Sequence, residues 1–448
     1  MIELTLNEIL AATGGRAVGT LPEGLVKDIT LDSRTASDGS LFVALKGERV
    51  DGHSFVSGLS GKAMAALVEH ETEGAIPQIV VSSTYKAVGA IGAYIRNRSG
   101  VIVVGITGSV GKTSVKELTA SVISQRFSVL KTEKNHNNEL GLPMTLFRLE
   151  EENEVAVLEM GISYFGEMDR ISRIARPDIA IFTNIENVHT ENLIDRDGVL
   201  RAKTELVANM RGNTLILNAN DDKLASYKLP NGKKAVYYGF DPHCFVSASE
   251  IAFDGMESTS FTLHVGADSI EVDLPASGSH MVLDALAAAA AGHELGLTMQ
   301  EIKSGLESFK NVGGRMEKLR YNGALILNDC YNASPTSMEA SLNVLAKAHG
   351  RKFALLGDML ELGERTEELH AGIGRLCAEL KLDGLVTVGR LSGNIAEAAR
   401  TNGLENVMTL TPEEAAKHFK ATLREGDSLL VKASRGMALE NVIRGIMD

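Results

Sequence analysis

The sequence predicts a three-domain α/β protein in which parallel strands alternate with helices, and three observations predict it. The chain has 448 residues, and at roughly 150 residues per domain this length suggests about three domains. Short apolar runs alternate with stretches of helical periodicity, which is the pattern of βαβ units. Glycine is abundant, with 44 residues, and glycine-rich turns commonly connect a strand to the next helix.

The expected domains cover residues 1–98, 99–312 and 313–448. The first contains apolar runs at 41–45 and 78–83, which predict a small mixed α/β domain. The other two each contain a longer series of strand and helix signals. No internal repeat or low-complexity segment is present.

The central series begins at Val101 and predicts a parallel sheet. An amphipathic stretch from Lys112 to about Gln125 predicts the helix that follows the first strand. Continuous short apolar runs are typical of strands buried on both faces. The runs are VIVVGI (101–106), VAVLEM (155–160), DIAIFTN (178–184) and TLILN (214–218).

A second series begins after residues 313–315 and predicts a doubly wound, Rossmann-like sheet, because parallel crossovers are right-handed. Ser334-Pro335-Thr336 signals the start of its first helix. Further helices are expected at about 367–380 and 394–400. The predicted strands are ALILND (324–329), FALLGD (353–358), LVTVG (385–389) and SLLVKAS (428–434).

Charge and composition exclude several classes of protein. The net charge is −13 at pH 7, which argues against a general nucleic-acid or anionic-membrane binder. No apolar run approaches the roughly 20 residues that a bilayer requires, and no signal peptide is expected. Three scattered cysteines suggest a reducing, cytoplasmic compartment without disulfides. Without a coiled-coil heptad or a large apolar stripe, a monomer is the default expectation.

The sharpest local signal is a phosphate-binding loop between the first central strand and its helix. Glycines let backbone N–H groups turn toward phosphate oxygens, and the helix N-terminus adds positive potential. Isoleucine at 106 replaces the first glycine of the strict pattern, so this is the T-G-x-x-G-K-T variant. The loop residues, all expected to contact the nucleotide, are Thr107, Gly108, Ser109, Val110, Gly111, Lys112 and Thr113.

Three polar residues near this sheet edge are candidates for chemistry. Glu159 ends a predicted strand, and ligands of open α/β sheets bind beyond the carboxyl ends of strands. It suits a Mg²⁺ ligand, with a buried structural glutamate as the alternative. His189 follows the next strand, where a loop histidine is the commoner interpretation. Lys203, judged by spacing alone, is a solvated helix lysine.

The C-terminal half also has polar residues that are candidates for chemistry. Asp329 and Asp358 each follow a predicted strand. Arg315 lies in the predicted hinge, where an arginine can move onto ATP phosphates as domains close. A site assembled between domains suits a reaction that must exclude water from an activated intermediate.

Together these motifs resemble the Mur ligase family, the ATP-dependent ligases that add amino acids to the peptidoglycan precursor. The resemblance spans essentially the whole chain. It is most specific to the member that joins D-alanyl-D-alanine to UDP-N-acetylmuramoyl-tripeptide. The matching motifs are DSR (32–34), SLFVALKGERVDGHSF (40–55), TGSVGKTSVKE (107–117), KTEKNHNNELGLP (131–143), LEMG (158–161), TNIENVH (183–189), RAKTE (201–205), GGRME (313–317), NDCYNASPTSM (328–338), LGDMLELGE (356–364) and VKASRGM (431–437).

The resemblance implies the architecture and the reaction. The small N-terminal domain would bind the uridine nucleotide substrate, the central P-loop ATPase-type domain would bind ATP, and the C-terminal Rossmann-like domain would complete the ligase. The tripeptide carboxylate would attack ATP to give an acyl phosphate, which the amine of D-alanyl-D-alanine would then attack. The product would be the UDP-N-acetylmuramoyl-pentapeptide.

The resemblance also implies a metal site. Thr113, Thr132 and Glu159 would lie around a first Mg²⁺, and His189 would hold a second. Lys203 would react with CO₂ to become a carbamate. Such a carbamate replaces a cation with an anion that is able to bridge to a metal.

Further roles concern the nucleotide and the substrates. Lys112 and its loop would bind the ATP phosphates, Arg315 would be the hinge arginine, and Asp329 would bind the ribose. Lys112, Lys203, His189 and Arg315 are the expected catalytic residues. The expected substrate-binding residues are Ser33, Arg34, Asn332 and Ser334.

The sequence departs from the family pattern at two places. Met281 and Asp284 stand where the family usually has asparagines near the adenine. Ser163 and Tyr164 stand where many relatives carry Asn-His, so no metal role is assigned there.

Three alternative functions are compatible with these motifs. One is a ligase for another acid and amine, either of Mur type or of folylpolyglutamate type. Another is a nucleotide-gated ATPase or binding protein without ligation. The last is a phosphotransferase that stops at a phosphorylated product. The uridine-type motifs and NDCYNASP (328–335) speak against the folate ligase.

Overall fold

The computed structural model describes residues 1–188, 190–311 and 313–448. The fold is mixed α/β with largely parallel sheets, which confirms the predicted class. The strands are β1 (Leu4–Thr5), β2 (Arg16–Val18), β3 (Leu25–Val26), β4 (Asp28–Thr30), β5 (Ser40–Val43), β6 (Ala65–Val68), β7 (Gln78–Val80), β8 (Ile102–Thr107), β9 (Val129–Lys131), β10 (Val155–Glu159), β11 (Ile179–Phe182), β12 (Thr214–Asn218), β13 (Lys234–Gly239), β14 (Val246–Asp254), β15 (Ser258–Val265), β16 (Asp268–Leu274), β17 (Glu317–Tyr321), β18 (Ala324–Asn328), β19 (Lys352–Gly357), β20 (Gly384–Val388), β21 (Val407–Thr409) and β22 (Ser428–Lys432).

Helices connect most of these strands. They are α1 (Leu6–Thr13), α2 (Thr84–Arg98), α3 (Lys112–Ile123), α4 (Gly141–Leu146), α5 (Glu167–Ala175), α6 (Thr190–Leu193), α7 (Arg196–Thr204), α8 (Asp222–Ala225), α9 (Ser279–Glu294), α10 (Met299–Glu307), α11 (Pro335–Ala346), α12 (Thr366–Glu379), α13 (Gly393–Thr401), α14 (Pro412–Thr422) and α15 (Glu440–Met447). Short 3₁₀ turns cover Gly52–Leu59, Glu205–Asn209, Gly363–Arg365 and Arg435–Met437. Within the described residues, no helix combines the length and the apolar character needed to cross a bilayer.

One compact unit comprises Met1–Thr107, Phe127–Ile181 and Ala202–Thr214. Its N-terminal sheet has the strand order β2-β7-β6-β5-β4, with β2 antiparallel to β7 and the other neighbours parallel. A second set of strands in this unit has the order β9-β10-β8-β11. Strand β10 runs parallel to both β8 and β9, so Glu159 and the start of the phosphate loop lie at the same sheet edge.

A buried arginine strengthens this first unit. Arg96 on α2 is 1% exposed and forms an ion pair with Asp178 at 2.9 Å. Its guanidinium also donates to the carbonyl oxygens of Ala175 and Val101, at 2.7 and 3.0 Å. Desolvation by burial lowers the pKa of Arg96 to about 10. The group stays a cation at neutral pH, and it ties α2 to the chain around β11.

The other unit comprises Gly108–Arg126, Phe182–Arg201 and Leu215–Asp448. Here the strands follow the order β12-β13-β14-β15-β16, of which β14, β15 and β16 are antiparallel neighbours. Helix α3 packs against α9 and α10. A Cβ atom at Gly305 would lie 2.3 Å from Cα of Val122, so a glycine is needed where α10 crosses α3.

The same unit contains a six-stranded C-terminal sheet with the order β17-β18-β22-β19-β20-β21. Only β17 is antiparallel to its neighbour, while the four other pairs are parallel. Helices α11 to α13 cover one face and α14 and α15 the other, each over its own apolar cluster. This arrangement confirms the predicted doubly wound sheet.

The predicted domain boundaries fall outside the strands. Residue 98 is the last residue of α2, and residue 313 lies between α10 and β17. The division into 1–98, 99–312 and 313–448 stays a prediction.

Candidate functional site

The phosphate loop joins β8 to α3, and its glycines have conformations that other residues rarely adopt. Gly108 has φ +154°, and a Cβ atom there would lie 1.9 Å from Oγ1 of Thr183. Gly111 has φ +82° and precedes the first residue of α3. Left-handed backbone is strained for residues with a side chain. Both glycines are therefore required by the backbone path of the loop.

Residues 183–186, which follow β11, form hydrogen bonds with the phosphate loop. The N–H of Ser109 donates to the carbonyl of Asn184 at 3.0 Å, and the N–H of Val110 donates to Oδ1 of Asn184 at 2.9 Å. The Thr183 hydroxyl donates to the carbonyl of Val110 at 2.5 Å. The Glu186 N–H donates to Oγ of Ser109 at 2.8 Å. Four hydrogen bonds thus fix the loop before any ligand binds.

Lys112 lies across this loop. Its Nζ donates to the carbonyl oxygens of Gly108 and Ser109, at 2.8 and 3.0 Å. Helix α3 begins at Lys112 without a side-chain cap, so its first-turn N–H groups remain directed at the loop. A helix N-terminus with a lysine over a glycine loop is suited to hold an anion such as phosphate.

Two of the expected metal-binding residues lie together in the first compact unit. The N–H of Glu159 donates to the Thr132 hydroxyl at 3.0 Å, and both residues are almost fully buried. The Asn137 amide donates to Oε1 of Glu159 at 2.8 Å. Sequence reasoning assigned no role to Asn137. The feature of the sequence that points to Asn137 is its place in the asparagine-rich segment 131–143.

Lys203 lies on α7 and is 1% exposed. The prediction from spacing alone, a solvated helix lysine, is therefore wrong, because the side chain lies inside the protein. The hydroxyl of Thr107 is also buried, and it has no hydrogen-bond partner within the described part of the chain. His189 lies outside the described residues.

The described ranges contain no cluster of three or more His, Cys, Asp or Glu residues that could hold a metal. Mg²⁺ is usually bound through one or two carboxylates together with substrate phosphates, not through a cage of protein ligands. The buried oxygen donors of Thr132 and Glu159 therefore fit that cation.

Arg315 and Asp329 belong to one polar cluster of the C-terminal sheet. The Arg315 guanidinium lies 3.8 Å from the ring centre of Tyr331. Asp329 is 8% exposed and accepts from the Met316 N–H at 3.2 Å and the Ser341 hydroxyl at 2.7 Å. It also forms an ion pair with Lys432. Three internal contacts thus occupy this carboxylate.

The expected substrate-binding residues have different local roles. Ser334 is the N-cap of α11, where its hydroxyl accepts from the Ser337 N–H at 3.4 Å. Asn332 is exposed. Arg34 is an exposed side chain that pairs with Asp32 at 2.6 Å. The Arg34 guanidinium lowers the pKa of Asp32 to about 2.

Helix α9 carries the first of the two departures from the family pattern, Met281 and Asp284. Met281 is buried, and Oδ1 of Asp284 lies 3.0 Å from where a Cβ atom would stand at Gly111. Burial raises the pKa of Asp284 well above its ordinary value. Burial lowers the pKa of His280 to about 4. Both groups are therefore favoured in their neutral forms, and Asp284 is the one that lies beside the loop.

Comparison with known families matches three consecutive segments of the chain. Residues 25–101 match the description "Mur ligase family, catalytic domain". Residues 106–292 match "Mur ligase middle domain". Residues 314–435 match "Mur ligase, glutamate ligase domain".

Curated relatives match over their whole length. The UDP-N-acetylmuramoyl-tripeptide–D-alanyl-D-alanine ligase of Escherichia coli (strain K12) is 35% identical, over 100% of this chain and 99% of the relative. The Bacillus subtilis (strain 168) protein of the same name is 33% identical over the same shares.

Solved structures of ligases with similar sequences have the same fold as this chain. A crystal structure of MurF from Acinetobacter baumannii superposes with a TM-score of 0.92 at 34% identity, covering 99% of both chains. The structure of MurF ligase from Thermotoga maritima in complex with ADP has a TM-score of 0.85 at 28% identity, covering 94% of this chain and 97% of that one.

Proposed function

This chain belongs to the Mur ligase family, and we propose that it joins D-alanyl-D-alanine to UDP-N-acetylmuramoyl-tripeptide with the cleavage of ATP to ADP and phosphate. The product is the UDP-N-acetylmuramoyl-pentapeptide precursor of peptidoglycan. The observation that carries the proposal is the similarity to ligases of that name over 100% of this chain, at 33% and 35% identity.

The geometry of the phosphate loop supports the ATP-dependent half of the reaction. Gly108 and Gly111 bring the backbone close to a ligand, and Lys112 lies within reach of the same loop. When ATP binds, the Lys112 ammonium exchanges its two carbonyl acceptors for phosphate oxygens. Charge neutralisation of this kind is the main protein contribution to phosphoryl transfer.

The buried pair Thr132 and Glu159 supports Mg²⁺ binding, and Thr113 is proposed as a further ligand on its resemblance to the family motif. The cation, when bound, neutralises charge on the phosphates of ATP. His189 is proposed as a ligand of a second Mg²⁺. Lys203 is proposed to add to CO₂, forming an N–C bond and losing a proton, so that a buried carbamate faces the metal site.

The proposed reaction has two chemical steps. An oxygen of the tripeptide carboxylate attacks the γ-phosphorus of ATP, the bond to the β-phosphate oxygen breaks, and ADP leaves. The free amine of D-alanyl-D-alanine then attacks the acyl carbon. The tetrahedral intermediate loses a proton and expels phosphate, which leaves the new amide. The phosphate carries one oxygen from the substrate carboxylate.

We assign the remaining expected residues to binding. Ser33 and Arg34 are proposed to contact the uridine nucleotide, and the exposed guanidinium of Arg34 supports contact with an anion. Asn332 and Ser334 are proposed on the dipeptide side. Arg315 and Asp329 are proposed to contact ATP, Arg315 at the phosphates and Asp329 at the ribose.

The cellular setting follows from the same proposal. A cytoplasmic location is supported by the free state of Cys244, Cys330 and Cys377, because disulfides are rare in reducing compartments. We propose a monomer that binds neither nucleic acid nor membrane, in keeping with the net charge of −13.

The test is ADP release measured with each substrate omitted in turn. ADP release should rise at least about tenfold when the tripeptide and the dipeptide are both present, because the acyl phosphate must be consumed before turnover continues. Lys112→Ala should abolish the release, whereas Lys303→Ala on α10 should leave it unchanged. ADP release that ignores the dipeptide would favour a bare ATPase or a phosphotransferase. Stimulation by glutamate and a folate would favour the folylpolyglutamate-type ligase.

A further inference from the structure

A buried lysine at the end of β22 has no role in the mechanism described so far. Lys432 is 3% exposed and forms an ion pair with Asp329. Its Nζ also donates to the carbonyl of Asn332 at 3.2 Å. One ammonium group thus joins β22 to the turn that follows β18, the turn that carries Asp329 and Asn332.

The Asp329 carboxylate extends this connection in two directions. Its Oδ1 accepts from the Met316 N–H at 3.2 Å, and its Oδ2 accepts from the Ser341 hydroxyl at 2.7 Å. Met316 belongs to residues 313–316 before β17, which we call the hinge segment, and Ser341 lies on α11. The carboxylate therefore bridges the hinge segment and the C-terminal sheet.

The Arg315 side chain is placed by the same cluster. The N–H of Tyr331 donates to the carbonyl of Gly314 at 2.9 Å, which holds the hinge segment against the turn after β18. The Arg315 guanidinium then lies on the Tyr331 ring at 3.8 Å. Stacking on an aromatic face fixes the plane of a guanidinium without using its N–H donors.

We propose that Lys432 is a positioning residue of the ligase reaction, which fixes Asp329 and the Asn332 carbonyl and thereby sets the Arg315 guanidinium on Tyr331. This inference rests on the proposed function. Lys432 acts through these neighbours and need not contact a substrate itself.

Lys432 can act as a positioning residue because its ion pair with Asp329 is buried. Removing the cation leaves the Asp329 carboxylate buried without its charged partner, which is strongly unfavourable. The turn and the hinge segment then rearrange to hydrate the carboxylate. A displacement of about 1 Å in a positioning group can reduce a rate about a hundredfold.

The kinetic experiment compares Lys432→Met with Lys352→Met in the full chain. Lys352 begins β19 in the same sheet and donates to the Ala346 carbonyl at 3.1 Å, so it reports the effect of losing a lysine contact away from this cluster. Lys432→Met should lower kcat about a hundredfold, while the KM for UDP-N-acetylmuramoyl-tripeptide, whose proposed contacts Ser33 and Arg34 lie elsewhere, changes less than about threefold. Lys352→Met should keep kcat within about twofold of the parent. A kcat within about threefold of the parent for Lys432→Met would overturn the proposal.

A double variant separates positioning from loss of stability. Lys432→Met combined with Asp329→Asn removes both charges. Because the two side chains act as one unit, the rate loss of the double variant should be smaller than the product of the two single losses. Melting temperatures of all variants are measured in parallel. Additive rate losses, or equal rate losses for Lys432→Met and Lys352→Met at equal melting temperature, would contradict a positioning role.

An optical measurement does not depend on ligase activity. The chain has no tryptophan, so Tyr331→Trp supplies a single tryptophan under the Arg315 guanidinium, whose emission can be excited apart from that of the tyrosines. Adding Lys432→Met should increase acrylamide quenching of this tryptophan, and Lys352→Met should not. If the parent makes no product but this change in quenching occurs, the proposed function fails and the positioning of Arg315 stands. Unchanged quenching would refute the positioning itself.

Discussion

Two side chains of α9 show how burial controls the charge of a side chain, and one of them, Asp284, lies beside the phosphate loop. Burial raises the pKa of Asp284 well above its usual range and lowers the pKa of His280 to about 4. Because desolvation disfavours the charged form of either group, both are neutral under conditions in which an exposed aspartate would be ionised. An ionised Asp284 carboxylate beside Gly111 would repel phosphate, whereas the neutral Asp284 carboxyl group does not.

This environment predicts that Asp284→Asn stabilises the protein at neutral pH. An acid whose pKa is raised by folding destabilises the folded state once the unfolded chain ionises, so the cost is absent below the unfolded pKa and grows as pH rises toward the folded pKa. The melting temperature of the variant should equal that of the parent near about pH 4 and exceed it by about 2 °C or more near pH 8.

Asp273→Asn, on exposed β16, is the matched control and should show no such pH-dependent difference. Thermal unfolding across this pH range measures both variants. An Asp284→Asn protein that is less stable than the parent at pH 8 would show that the carboxyl group is ionised and stabilising.

Lys203 illustrates a residue whose environment could not be predicted from spacing. A lysine on a helix is usually solvated, and only the resemblance to the Mur ligases gave Lys203 a reactive role. The structure buries it to 1% exposure. Burial requires three-dimensional packing of α7, which helix periodicity alone does not specify.

Lys203→Ala should lose most activity and regain part of it when short carboxylates are added, because a small anion can take the place of a carbamate. We expect a loss of about a hundredfold or more, with measurable rescue by formate or acetate. The same salts added to Lys112→Ala should restore nothing. Full activity of Lys203→Ala without added carboxylate would refute the carbamate.

At the scale of elements, the phosphate loop depends on the segment that follows β11. Asn184 contacts the loop with its backbone carbonyl and with its side chain, and Thr183 packs against Gly108. Preorganised N–H groups bind an anion without the cost of ordering the loop. The end of β11 therefore belongs to the nucleotide site, although it is distant in sequence from the glycine loop.

Asn184→Ala should weaken ATP binding, because the Val110 N–H loses its acceptor and the loop becomes less ordered. The expected KM for ATP rises about tenfold, while the KM for D-alanyl-D-alanine stays within about twofold. Asn402→Ala is the control, since the Asn402 amide donates to the Ala398 carbonyl of its own helix, α13. Steady-state kinetics with each substrate varied would contradict this account if both KM values rose equally.

The sequence predicted the parallel elements well. The run 324–329 became β18 (Ala324–Asn328), and 353–358 became β19 (Lys352–Gly357). Continuous apolar runs identify strands buried on both faces. The antiparallel strands β14 to β16 were not predicted, although β15 alternates buried and less buried residues, a period-two signal typical of half-buried strands.

The candidate site was predicted only in part. Glycine spacing located the phosphate loop, because its backbone conformations require glycine. The contacts of Asn137 with Glu159 and of Lys432 with Asp329 join residues that are far apart in sequence. No periodicity encodes such pairs, so a resemblance or a structure is needed to find them.

At the scale of the whole molecule, the proposed ligase reaction requires one chain to bind a nucleotide, an acid and an amine in the same catalytic cycle. An acyl phosphate that met bulk water would hydrolyse, so ATP would be consumed without product. Similarity to ligases over 100% of the chain supports this coupling. The central claim is therefore the formation of an amide bond, with ATP cleavage in equal amount.

The most direct measurement is mass spectrometry of the products formed from ATP, Mg²⁺, UDP-N-acetylmuramoyl-tripeptide and D-alanyl-D-alanine. With the tripeptide carboxylate labelled with ¹⁸O, the account predicts UDP-N-acetylmuramoyl-pentapeptide, an equal amount of ADP, and one labelled oxygen in the released phosphate. Each omission should remove the pentapeptide. ADP formed without pentapeptide, or phosphate without the label, would contradict ligation through an acyl phosphate.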